Sequence, residues 1–365
     1  MTQNHDDKHQ HHNLLVCTDL SSAAKQILRH SFAILNVNNE THRVLQDSWL
    51  AARAFLSPNI DMDTNKHGYG HGHGHGHGHG HEREEREATV IRKYRRIHNG
   101  ALLGYNRPSN AKLLFRSLFV NCKPHIFQPW PHEDDENNHE DDGNHENGVL
   151  SSTSILKASS TLLVNDLHTL LVGCLEEVKK TILDENENMK DEHQVHFHST
   201  KKRKRETKSD LDFDSSHCPL DYFLYHNQGS DCVNCSEHID RGALICISLT
   251  NVCGLEVRVR APSVGNENEN DKREHEHEWI CPETISVNQE LYQEREVGCS
   301  DMVCILSGDQ LRQCLDLNAN HDDQDTMIKY PGINACVHRV KRKLRASRLS
   351  ISYELRGVLP SASLS

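Results

Sequence analysis

The sequence lacks the features that direct a chain into a membrane or a secretory route. Its polar opening, Met1 to Lys8, contains no apolar signal region, and no apolar run has the length that a membrane helix needs. Thirteen cysteines are an odd number in so long a chain, which argues against a disulfide framework. We therefore expect a cytoplasmic protein with reduced thiols and no membrane partner.

Several patterns that mark common functional sites are also missing. The 365 residues contain no nucleophile elbow and no glycine-rich phosphate loop. Cys232 and Cys235 form a Cys-x-x-Cys pair, but no second pair exists to complete a structural zinc site. The formal net charge of -12 argues against nucleic acid as a general partner.

Hydrophobic residues are scarce, at 35%, so part of the chain must be solvated rather than core. We interpret residues 66–82, 132–150 and 184–210 as disordered insertions. The first contains six histidines that alternate with glycine from His71 to His81. These histidines would bind zinc, nickel or copper weakly, but alternating glycines fix no coordination geometry, so we interpret the run as a tolerated repeat.

The third insertion contains a basic run, Lys201 to Arg205. This run is either a nuclear localisation signal or a solvated charged loop, and its flanks do not discriminate between the two. A nuclear location therefore stays open beside the cytoplasmic one.

The N-terminal half has mainly helical patterns. Helical spacing over 23–28 and 44–56, with strands at 14–20 and 32–37, predicts helices and strands that pack as a layer of their own. A long apolar stripe predicts a further helix over 158–183.

From Cys218 onward the pattern changes to short runs that are rich in branched residues and bounded by turns. The predicted strands are 220–225, 243–250, 254–260, 278–281, 301–306, 333–337 and 349–355. Because no helical pattern separates them, they fit a sandwich or jelly roll. We predict an α+β fold with a helical region over 14–200 and a jelly-roll domain over 211–357.

Histidine and aspartate two residues apart are a candidate metal-binding pattern, and the pattern occurs five times. Only His238 and Asp240 stand directly before a buried-strand pattern, where a scaffold could hold them on one face of a sheet. His338 follows another apolar run, and two histidines with one carboxylate are a ligand set for iron(II) with open positions. Ten residues later Arg348 and Ser350 share a strand face, and a guanidinium beside a hydroxyl is suited to a carboxylate.

The segment resembles the catalytic domain of the iron(II)- and 2-oxoglutarate-dependent dioxygenases, in the branch similar to isopenicillin N synthase. The motifs that carry the resemblance are His238-Ile-Asp240, Gly254-Leu-Glu-Val257, Gly308-Asp309, His338-Arg-Val340 and Arg348-Leu-Ser350. The family's fold implies a double-stranded β-helix, or jelly roll, with an N-terminal helical layer.

The resemblance implies that His238, Asp240 and His338 hold Fe(II). It implies that Arg348 and Ser350, with Tyr225, bind the distal carboxylate of 2-oxoglutarate; Phe223 stands where many members have an asparagine. The expected reaction is hydroxylation or desaturation of a small organic substrate with O2, with ascorbate as a further cofactor, by a monomeric enzyme.

Two alternatives remain at this point. Isopenicillin N synthase itself uses its Arg-x-Ser motif on its substrate without 2-oxoglutarate, so a 2-oxoglutarate-independent iron oxidase is open. The His-Gly and basic runs favour a second alternative, a non-catalytic, metal-binding nuclear protein on a degenerate core.

Overall fold

In the computed structural model the described residues are 16–57, 95–98, 101–109, 112–124, 146–192, 217–226, 233–260, 277–285, 298–315, 330–341 and 347–357. The His-Gly run at 67–81, the acidic block up to residue 145 and the basic run at 201–205 lie outside them. The predictions made for those three segments therefore stay predictions, as does the division of the chain at residue 211.

Three long helices form one layer of the molecule. They are α1 (Leu20–His30), α2 (Asn39–Leu56) and α3 (Glu146–Glu192). Asp19 and Asn38 cap the first two, because each side chain accepts a hydrogen bond from the backbone N–H three residues on, at 2.8 Å. Two single-turn helices, α4 (Pro282–Ile285) and α5 (Leu311–Cys314), and a 3-10 turn (Pro331–Ile333) follow later in the chain.

The strands are antiparallel and form two sheets. They are β1 (Phe32–Asn36), β2 (Arg95–His98), β3 (Ala101–Ser109), β4 (Lys112–Val120), β5 (Lys123–Pro124), β6 (Cys218–Tyr225), β7 (Val233–His238), β8 (Leu244–Thr250), β9 (Leu255–Arg260), β10 (His277–Ile280), β11 (Cys299–Ser307), β12 (His338–Lys341) and β13 (Arg348–Leu355). The large sheet has the order β1-β11-β8-β13-β6-β4-β3-β2, with β5 beside β4, and the small sheet has the order β10-β9-β12-β7.

The large sheet is covered on both faces. On one face the helices enclose a core that includes Trp49, Leu167 and Tyr353, and on the other face Ile247, Val257 and Cys304 belong to a second core between the two sheets. Central strand β8 is therefore buried along its whole length. This arrangement leaves one end of the space between the sheets for the candidate site.

Helix α3 contains a segment, Ser154–Glu185, that is long and apolar enough to cross a membrane by length and composition. This finding differs from our expectation that no such run exists. Along its buried face Leu163, Leu167 and Leu171 pack in the helix core, and His168 Nδ1 lies 2.9 Å from the Tyr353 hydroxyl of the sheet. We therefore interpret it as a core helix.

The N-terminal half contributes more to the sheet than its sequence pattern predicted. Strand β1 pairs with β11 instead of belonging to a separate layer, and β2 to β5 were not predicted at all. The strand expected at 14–20 is wrong, since Cys17 makes only an isolated bridge and α1 begins at Leu20. Helix α3 extends at both ends beyond 158–183, into stretches that we interpreted as insertions.

Candidate metal centre

The face of the large sheet that faces the small sheet is apolar at β8 and polar at β13 and β6. Ile245 of β8 belongs to the core between the sheets, and Glu354 of β13 lies opposite it in the ladder. Since side chains alternate along a strand, Arg348 and Ser350 share that face with Glu354. The polar half of this face lies beside β7 of the small sheet, since Lys112 Nζ of β4 lies 3.9 Å from Cys235 Sγ of β7.

The three expected metal ligands converge. His238 is the last residue of β7 and His338 the first of β12, and the two lie directly opposite each other in the ladder. Asp240 follows in the loop, with its carboxylate oxygens 3.8 Å from His238 Nε2 and 3.4 Å from His338 Nε2. One potential ligand atom from each residue lies within 4.8 Å of the others, which is the size of a single metal site.

Both histidines present the correct nitrogen to this space. His238 Nδ1 lies 2.8 Å from the Ser236 carbonyl oxygen, and His338 Nδ1 lies 3.2 Å from the Cys336 carbonyl oxygen. A carbonyl only accepts, so each Nδ1 carries the proton and donates. When the rings are neutral, the lone pairs on Nε2 are left for a metal, and the rings are fixed in orientation.

Two contacts fix the loop that carries Asp240: the buried carboxylate of Glu354 and the backbone of the Gly308–Asp309 turn. Glu354 Oε1 accepts hydrogen bonds from the backbone N–H groups of Arg241 at 2.8 Å and Gly242 at 2.9 Å. Asp309 N–H donates to the Asp240 carbonyl at 2.9 Å. A side chain at Gly308 would overlap the Gly242 carbonyl oxygen, which explains the glycine in the Gly-Asp turn.

Burial and neighbouring groups shift the pKa values of all three candidate ligands. Burial, and then the neighbouring His238, lower the pKa of His338 to about 4. The hydrogen bond with Cys235 raises the pKa of His238 to about 9, against the effect of burial. Burial also raises the pKa of the Asp240 carboxyl. Binding of a metal ion would therefore displace a proton from His238.

Arg348 is placed as expected, but its guanidinium already has a carboxylate partner. Its Nη2 lies 2.8 Å from Oε1 of Glu283, a residue of α4, and the two side chains are 2% and 0% exposed. Leu255 N–H also donates to the same Glu283 oxygen, at 3.4 Å. Arg348 Nε is buried without a hydrogen-bond partner in the described part of the chain.

The other side chains of this face form the surroundings of Arg348. Tyr225 of β6 lies between Arg348 on β13 and Lys112 on β4 in the ladder, and Phe223 lies opposite Ser350. The Lys112 ammonium lies 4.2 Å from the centroid of the Phe223 ring. These residues give the site an aromatic wall with a cation at each side.

The structure brings together the sequence-predicted ligands His238, Asp240 and His338, and it places the predicted anion-binding residues on the adjoining face. Two details of their setting were wrong. His338 begins β12 instead of following a strand over 333–337, which is a 3-10 turn and a loop. His238 ends β7, a strand that was not predicted.

Sequence reasoning missed Glu283 and Glu354. Glu354 is the last but one residue of an apolar strand pattern, and a charged residue at that position is the signal that was available. Glu283 stands in a short Pro-Glu-Thr turn 65 residues before Arg348, and no local pattern points to their contact.

No family model and no curated protein sequence matches the chain. Solved structures do match the chain in fold. A full-length Neurospora crassa protein in complex with alpha-KG and 5-formyluracil aligns at 13% identity over 93% of this chain and 78% of that chain, with a TM-score of 0.51.

Two further solved structures align over most of the chain. A C-terminally truncated form of the same Neurospora crassa protein, without ligand, aligns at 13% identity over 92% of this chain and 86% of that chain, with a TM-score of 0.50. The dioxygenase for auxin oxidation 1 from Arabidopsis thaliana with 2-oxoglutarate aligns at 12% identity over 93% and 90%, with a TM-score of 0.44.

At such identities the likeness shows the fold. The two Neurospora crassa alignments confirm the expected α+β class, a mainly antiparallel β core with packed helices. The chain has the fold of a protein whose solved structure contains alpha-KG.

Proposed function

We propose that this chain is a non-haem iron(II)/2-oxoglutarate-dependent dioxygenase that hydroxylates or desaturates a small organic substrate. The observation that carries the proposal is the convergence of His238, Asp240 and His338 from two strands and a loop into one site. In this proposal the two sheets are the halves of a double-stranded β-helix, and the site lies at its open end.

The donor set fits iron(II). Two imidazole nitrogens and one carboxylate on one side of an ion are the facial arrangement that leaves positions for a co-substrate and O2. When bound, iron(II) with a 2-oxo acid and O2 supplies the oxidising chemistry. Asp240 and His338 give the ion a negative and a neutral ligand, and the backbone carbonyls of Ser236 and Cys336 keep the rings in place.

Residues of the neighbouring strand face would bind the co-substrate. We propose that Arg348, Ser350 and Tyr225 receive the distal carboxylate of 2-oxoglutarate, because they share one face beside the metal site and are buried from bulk water. Burial strengthens the interaction of a guanidinium with a carboxylate. In this assignment the distal carboxylate binds to a guanidinium that already forms an ion pair with Glu283.

That same feature favours a second candidate function. If Glu283 stays paired with Arg348, the chain is an iron oxidase that does not use 2-oxoglutarate, and, unlike isopenicillin N synthase, it does not use the Arg-x-Ser motif to bind its substrate. The non-catalytic, metal-binding nuclear alternative has less support, because the triad and the hydrogen bonds that orient it are intact.

The test is anaerobic addition of iron(II) and then 2-oxoglutarate, with detection of the visible metal-to-ligand charge-transfer band. We expect the band with the wild-type chain and its loss in His238→Ala. A matched control is His277→Ala, since His277 is an exposed histidine on β10 outside the triad. Deletion of residues 67–81 should leave the band unchanged.

Iron binding without the band would contradict 2-oxoglutarate dependence and support the oxidase. Absence of iron binding would contradict both enzyme assignments. We further propose a monomer in the cytoplasm or nucleus, for which sedimentation of the purified chain and imaging of a chain lacking residues 201–205 are the measurements.

A further inference from the structure

Glu283 is a buried carboxylate that the expected chemistry does not use. It lies at the start of α4, which packs against β8 and β9, and none of its side chain is exposed. Its Oε1 accepts from Arg348 Nη2 at 2.8 Å, and the Cys281 thiol lies 3.3 Å from its Oε2. The carboxylate of Glu283 therefore contacts the Arg348 guanidinium, the group that would bind the distal carboxylate of 2-oxoglutarate in the proposed function.

The ion pair changes what Arg348 can offer. A guanidinium has five N–H donors, and Glu283 engages one nitrogen of it, while Nε has no partner in the described residues. Donors therefore remain for a ligand, but the positive charge is already balanced. A second carboxylate on the same guanidinium would meet the charge of Glu283 in a setting with little water to screen it.

We propose that Glu283 is a specificity-determining residue that weakens binding of the distal carboxylate of the co-substrate. This inference rests on the proposed function. Glu283 reduces the preference of the site for 2-oxo acids that end in a carboxylate over those that end in a methyl group. Replacing it by glutamine restores a net positive charge on Arg348 and should restore that preference.

A different role for the same contact makes the opposite prediction. If Glu283 only orients the guanidinium, then Glu283→Gln, which removes the charge and retains the shape, would weaken or leave unchanged the binding of 2-oxoglutarate. The direction of the change therefore separates competition from positioning.

The experiment measures dissociation constants from the charge-transfer band of the iron(II)-loaded chain, without O2. The ligands are 2-oxoglutarate and 2-oxopentanoate, which has a methyl group in place of the distal carboxylate. The variants are Glu283→Gln, Glu283→Ala and the control Glu256→Gln. Glu256 forms a pair with Arg339 at 2.7 Å, with the two side chains 13% and 22% exposed, on the outer face of the small sheet.

We expect Glu283→Gln to bind 2-oxoglutarate about ten- to a hundredfold more tightly than wild type, the range for one hydrogen bond between charged groups. Binding of 2-oxopentanoate should change little, and Glu256→Gln should bind both ligands as wild type does. The rise in thermal stability that 2-oxoglutarate gives to each variant is a second readout, which does not depend on the band. Glu283→Ala serves the same comparison if the glutamine variant does not fold.

The outcomes distinguish this inference from the function it rests on. A band in wild type with unchanged or weaker 2-oxoglutarate binding in both Glu283 variants would overturn the inference and leave the proposed function in place. No band with either ligand in any variant would refute the proposed function, and the inference with it.

Discussion

Replacing Glu354 by alanine tests whether the loop of Asp240 is positioned from the neighbouring strand. The variant removes the acceptor of two backbone N–H groups, those of Arg241 and Gly242, and the carboxylate partner of Arg356. A hydrogen bond to a charged acceptor contributes about 1.5 to 3 kcal/mol. Because Arg241 is exposed and water can replace part of the loss, we expect unfolding to become easier by about 3 kcal/mol.

The same change should loosen the aspartate ligand. Loss of a residue that orients a metal ligand lowers metal affinity about 10- to 100-fold. Iron(II) affinity, measured by competition with a chelator, and urea unfolding without metal give the two quantities separately. Glu256→Ala is the control, since it breaks the pair with Arg339 on the outer face and should cost stability without a change in iron affinity.

Loss of stability in Glu354→Ala with unchanged iron affinity would contradict a positioning role for Glu354. The carboxylate would then stabilise the fold only, and Asp240 would be held by other contacts.

Three further predictions concern stability. Gly308→Ala should destabilise the chain by about 3 kcal/mol or more, because its methyl group meets the Gly242 carbonyl; a wild-type urea midpoint would contradict the close approach. His338 takes up a proton below pH 6.5 in the unfolded chain, but only near pH 4 in the folded chain, because its folded pKa is lowered to about 4. Without metal, the free energy of unfolding should therefore fall as the pH falls from 6.5 to 4, by up to about 3 kcal/mol from this group. His338→Gln should show a correspondingly weaker pH dependence of unfolding between pH 7 and 4, and an unchanged slope would contradict the pKa. Trp49→Phe should cost about 1 kcal/mol, measured by urea unfolding, because the indole N–H donates to the Leu349 carbonyl at 3.1 Å, between Arg348 and Ser350 in the chain.

The three residues of the candidate metal site could be selected from the sequence because their setting is local. His238 precedes the buried strand β8 and His338 begins a strand after an apolar run, so residue type and neighbouring pattern together separated them from the other histidines. Their register, one opposite the other, could not be read, because it depends on the pairing of β7 with β12 across a hundred residues.

The strands β2 to β5 were missed for a physical reason. Gly104 and Pro108 interrupt β3, and both residues are unfavourable inside strands unless tertiary pairing compensates. Pairing with β4 supplies that compensation for β3, and β4 in turn pairs with β6, about a hundred residues further along the chain. Helix α3 exceeds its predicted length because its outer turns carry polar residues, which hide the apolar stripe on which the prediction depended.

Glu283 could not be predicted because a buried ion pair leaves no periodic signal. From the sequence of its own strand, its partner Arg348 was predicted to bind an external carboxylate, whereas in the structure it pairs with Glu283. The charge state of the site is therefore a property of the tertiary structure.

The central claim is that His238, Asp240 and His338 form one iron site. Its most direct measurement is the iron(II) stoichiometry of a chain lacking residues 67–81, from which the His-Gly run is absent, compared with the same chain carrying His338→Ala. We expect one tightly bound iron(II) per chain and none in the variant. Equal iron content in the two proteins would contradict a single iron site formed by these three residues.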